Sequence, residues 1–147
     1  MLKLKKPSIG WILLIIAFIS SIVSLILFIS TYNVFKYELN RWAFTCLILS
    51  IWGIGFLLVN GLIKGEYPFW QGVIYPLLAF LLTFSLIEFI NPCLSPIGIY
   101  FTVHNMGDTA TNDIGVPRSL ITCAFYGISI ISVLIASFMK PKKEETK

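Results

Sequence analysis

Apolar residues run almost unbroken along four stretches of this chain, at about Ile9–Thr31, Trp42–Ile63, Phe69–Ile90 and Ser119–Met139. Between them lie short polar breaks. Neither the alternation of a half-buried strand nor the single stripe of a surface helix is visible, because each stretch is apolar on all sides. At roughly 20 residues each, a helix rising 1.5 Å per residue crosses the roughly 30 Å hydrocarbon core of a bilayer. The pattern therefore predicts an all-α membrane protein, a single four-helix transmembrane bundle. Its connections are the polar link 32–41, the turn 64–68 and one longer segment, 92–118, read as a loop. Trp11, Tyr32, Trp42, Tyr67 and Trp70 fall at the predicted boundaries, where amphipathic rings favour the headgroup region.

Charge orients the spans. Lys3, Lys5, Lys6, Lys64, Lys140, Lys142, Lys143 and Lys147 fall on one side of a four-span arrangement. Lys36, Arg41 and Arg118 fall on the other. Eight against three is a positive-inside bias, so both termini are expected in the cytoplasm and 92–118 outside. The basic start followed by an apolar run resembles a signal peptide, but the run is longer than an h-region and no small-x-small site follows, so it reads as an uncleaved span.

Composition agrees: 57% of residues are hydrophobic and 12% charged, too few charges to clothe a soluble domain of this size. The net charge of +4 comes from the span-flanking lysines, and no aromatic-interleaved basic stripe or nucleic-acid motif accompanies it. The Ile-, Phe- and Lys-rich composition fits a microbial plasma membrane protein. The bilayer is the expected surrounding, with a protein partner or a second copy inside it and no nucleic acid.

Within the spans, Ser20, Ser21, Ser24, Ser50, Gly53, Gly55, Ala124, Gly127, Ser129, Ser132 and Ala136 are small enough for close helix approach. They are expected to pack the chain's own bundle rather than to form a dimer face. Pro76 is expected to bend the third span.

Candidate chemistry is sparse. Glu88 is the one charge inside an apolar run, and an intramembrane carboxylate is a functional candidate by default. Eighteen residues beyond Trp70, it lies about 27 Å along the span, near the interface. There it is expected to snorkel to water or to pair with Arg118 or Arg41; the competing reading is an ion or proton site in an oligomeric transporter or channel, with Asn60, Pro76, Gly53 and Gly55. In the loop, His104, Asp108 and Asp113 are candidate outer-face chemistry, but one His without ligand spacing predicts turn-capping acids rather than a metal site. Cys46, Cys93 and Cys123 all fall near the same ends of their spans, and Cys93–Cys123 is a candidate disulfide across the loop's base.

No Cys-x-x-Cys pair, bis-histidine set, phosphate-binding glycine loop, His-Glu-x-x-His or nucleophile elbow occurs, and no cofactor is expected. The favoured reading is a non-catalytic accessory, assembly or immunity-type subunit acting through helix contacts in the bilayer. The transporter or channel comes second, and an outer-face enzyme using Glu88, His104, Asp108 and Asp113 third.

Overall fold

The computed structural model describes residues 9–36, 38, 40–63, 71–102 and 109–138. They form four helices, α1 (Ile9–Phe35), α2 (Arg41–Ile63), α3 (Gln71–Thr102) and α4 (Thr109–Phe138), and no strand occurs among them. All four are long and apolar enough to cross a membrane. The lysines at the two termini and Lys64, which carry the orientation argument, lie outside the described residues, as do Tyr67 and Trp70.

α1 and α2 keep close to the predicted bounds. α3 and α4 do not. The expected loop 92–118 is largely absorbed into them, since α3 continues through Pro92 and Pro96 to Thr102 and α4 already contains Pro117 and Arg118. A proline inside a helix costs one backbone hydrogen bond, and the chain tolerates it where another group takes the freed carbonyl.

Contacts along the bundle run antiparallel between sequence neighbours. The Trp11 indole donates to the Leu58 carbonyl (3.5 Å) at one end of the α1–α2 pair, while the Phe28 and Phe44 rings meet toward the other. α4 then closes on α1, the most extensive helix contact in the molecule. The α1–α4 seam is made of small hydroxyls. Ser21 Oγ sits 3.2 Å from Ser129 Oγ and donates to its own helix at Ala17 O (2.7 Å), which also accepts from Ser129 (3.4 Å).

The packing is inverted relative to a soluble helix. On α1 the buried positions include Gly10, Ala17, Ser20, Ser21, Ser24 and Thr31, while Ile9, Ile12, Ile16, Ile19, Ile22, Ile26 and Ile29 face outward. Across the molecule Trp52 is 76% exposed and Phe138 86%. Large side chains outside and small ones between helices is the arrangement expected where the solvent is hydrocarbon, because burying Ile against another helix gains little over burying it in lipid. Ser50, Ser129, Ser132 and Ala136 are buried inside this bundle, as expected; Ala124 faces outward.

Gly53 shows how closely a side chain of α3 fits against α2. A methyl added there would stand 2.4 Å from Cδ2 of Leu78, itself buried on α3, whereas one added at Gly127 meets nothing within 4 Å. Gly53→Ala is therefore expected to lower stability by about 1–3 kcal/mol through overpacking. Gly127→Ala should be neutral or slightly stabilising through helix propensity. Thermal unfolding of both variants in the same detergent checks the contrast.

Candidate functional site

The polar side chains gather at the end of the bundle where α1 finishes and α2 begins. α1 stops at Lys36, which takes the left-handed backbone conformation (φ 57°) and donates its N–H to Asn33 O (3.3 Å). α2 then opens on Asn40, whose Oδ1 accepts from the N–H groups of Trp42 (3.1 Å) and Ala43 (3.4 Å). These donors have no carbonyl one turn earlier, so the side chain caps the helix.

The other end of the same amide reaches α3. Asn40 Nδ2 donates to the Glu88 carbonyl (3.3 Å) and to Glu88 Oε2 (3.1 Å). The carbonyl contact has a cause in the sequence. A helical C=O accepts from the N–H four residues on, and four residues after Glu88 stands Pro92, which has none. Asn40 fills that place. One side chain thus satisfies the open start of α2 and the open carbonyl of α3.

This revises the expectation for Glu88. The residue is half-buried on α3, level with the start of α2, and its carboxylate meets the Asn40 amide instead of Arg118 or Arg41. Arg118 points across the α1–α4 seam, where its Nη1 donates to Ser30 Oγ (2.6 Å). Arg41 is the exposed first residue of α2. The three charges share a level in the bundle but not a face.

Beneath this layer each helix contributes at least one ring to an aromatic hub: Phe28 and Tyr32 from α1, Phe44 from α2, Phe89 from α3 and Tyr126 from α4. Phe28 stacks on Tyr32 at 4.6 Å between centroids, and Phe89 lies 5.2 Å from Phe28, 5.8 Å from Tyr32 and 5.9 Å from Tyr126. Such pairs add about 0.5–1.5 kcal/mol each beyond simple burial. The hub is threaded by hydroxyls. Ser85 Oγ donates to Ala43 O on α2 (2.7 Å), so the 2.9 Å contact between Ser85 and Tyr126 has the tyrosine as donor. Tyr32 reaches Phe89 O at 3.5 Å. The exception is Thr31, fully buried on α1, whose Oγ1 has no hydrogen-bond partner among the described residues.

The remaining sequence candidates can be placed one by one. Cys46 and Cys93 are buried, Cys123 is half-buried, and all three are free thiols, so the candidate Cys93–Cys123 bridge is not formed. His104 and Asp108 lie outside the described residues; Asp113 falls in the second turn of α4. Among the described residues no cluster of three or more His, Cys, Asp or Glu side chains could hold a metal ion. Pro76 lies in the first turns of α3, Gly53 packs under Leu78, a methyl added at Gly55 would stand 3.4 Å from the Phe18 ring, and Asn60 falls in α2.

Asn40, Ser30, Ser85 and Tyr126, which make these contacts, do not stand out in the sequence. Asn40 alone carries a readable signal, an Asn directly before a helical run. Compared with known proteins, the chain matches no family model, no curated protein and no solved structure. What the fold defines is an all-helical protein with four helices able to cross a membrane.

Two substitutions test the amide bridge. Asn40→Ala removes the cap and leaves the Glu88 carbonyl open, with an expected loss of about 2–3 kcal/mol. Glu88→Gln retains an oxygen for Asn40 and should change stability by less than about 1 kcal/mol. Separately, Thr31→Val replaces a partnerless buried hydroxyl by a methyl of the same shape and should stabilise by about 1 kcal/mol. Melting temperatures in one detergent read out all three.

Proposed function

We propose that this protein is a non-catalytic accessory, assembly or immunity-type subunit of a microbial plasma membrane, with both termini cytoplasmic, that recognises a protein partner within the bilayer. The orientation rests on the lysine distribution. The observation that carries the function is the use made of Glu88. An intramembrane carboxylate serving transport must exchange protons or ions as the protein cycles. Here its side chain and its carbonyl both hold the Asn40 amide that starts α2. Ser85, Tyr126, Ser21 and Ser129 are likewise occupied in joining helices. Polar groups used in this way support a scaffold, and the surface left for recognition is the apolar exterior of the helices.

Native mass spectrometry of the protein released gently from its own membranes, without overexpression, tests the reading. A defined heteromeric mass is the expected result, and the partner's identity then names the pathway. A homo-oligomer whose ion or solute flux collapses in Glu88→Gln would overturn the proposal in favour of a small transporter or channel.

A further inference from the structure

Arg118 sits where a cation is costly to leave alone. It lies half-buried on α4, a helix long and apolar enough to cross a membrane. On that helix it stands between the exposed Ile114, Pro117 and Ile121 and the buried Gly115, Ser119 and Thr122, at the edge of the seam with α1. A guanidinium offers five N–H donors, and among the described residues its hydrogen-bond partner is the single oxygen of Ser30. Glu88, the acid expected beside it, is engaged by Asn40.

Ser30 differs from the other serines of its helix. Ser20, Ser21 and Ser24 each return their hydroxyl hydrogen to the carbonyl four residues back, at 2.7–2.8 Å. Ser30 makes no such bond among the described residues and instead accepts from Arg118. Its own O–H is left to donate outward, beside the guanidinium. One turn further along the same face of α1, Asn33 exposes its side-chain amide. A planar cation and a hydroxyl thus meet at the edge of the α1–α4 seam, with the exposed Asn33 one turn further along α1 and exposed apolar residues beside them.

We infer that Arg118, Ser30 and Asn33 form a binding site for the phosphate group of a membrane phospholipid, seated at the end of the α1–α4 seam. The phosphodiester is the anion that a bilayer supplies to a cation on a membrane-spanning helix, and a guanidinium binds two of its oxygens in parallel. The acyl chains then follow the exposed Leu120 and Ile121 along α4. The same donors would also accept a soluble phosphate ester, and the lipid-facing setting favours the lipid.

The test uses the full chain in a mild detergent, with native mass spectrometry counting bound molecules as phosphatidylglycerol is titrated in. Diacylglycerol, with matching chains and no phosphate, and soluble glycerol phosphate serve as comparison probes. Wild type is expected to take one phosphatidylglycerol ahead of the bulk. Arg118→Gln should weaken that first site about tenfold or more, the equivalent of one charge-assisted hydrogen bond. Ser30→Ala should weaken it several-fold, and Arg118→Lys should fall between wild type and Arg118→Gln. Diacylglycerol should bind all variants alike. Equal phosphatidylglycerol binding by wild type and Arg118→Gln would overturn the site. Tight binding of glycerol phosphate that excludes the lipid would overturn the lipid assignment and make the ligand a soluble ester. Should Arg118→Gln fail to fold, Ser30→Ala and Arg118→Lys decide on their own: unchanged lipid affinity in both overturns the proposal.

Discussion

In hydrocarbon no water is at hand to satisfy a peptide group that the helix itself leaves open, and each such group costs several kcal/mol. Pro92 creates one such opening in the middle of α3, at the Glu88 carbonyl, and the start of α2 creates others. The Asn40 amide answers both at once, donating to α3 and accepting from α2. Much of the rest follows from that junction. It sets the level at which α2 begins against α3, and that level brings Ser85 to Ala43 and Phe44 to Phe28.

The same constraint explains the character of the interior. A bundle in lipid draws little cohesion from excluding Ile and Leu, so its helices meet through Ser, Ala and Gly at close range and through rings at the one level where all four helices contribute. Serine serves well here because its hydroxyl can return to its own backbone when no neighbour is available, and cross to the next helix when one is. Ser20 and Ser24 do the first; Ser85 does the second.

How much of this was legible in the sequence depended on which coordinate was being read. Helix extent follows run length where no proline intervenes, so α1 and α2 end within a few residues of where the apolar runs end, whereas α3 continues well past Ile90 to Thr102. Rotation about each helix axis is not encoded in the same way, because a run that is apolar on every side has no pattern to mark its buried face. Glu88 and Arg118 therefore seemed natural partners at one level, while they face different neighbours. The segment 92–118, read as a loop, is largely helical for another reason. Whether a helix survives a proline such as Pro92 depends on a donor elsewhere in the chain. For Pro92 that donor lies 48 residues before the carbonyl it serves.

The closure of α4 on α1 has a consequence for the order in which the protein is made. A chain emerging from the ribosome inserts α1 first and α4 last, and until the last helix arrives the Ser21 face of α1 has no helix to lie against. The most extensive helix contact among the described residues thus joins the first and the last of the four helices, and it is available only to a chain in which both are present.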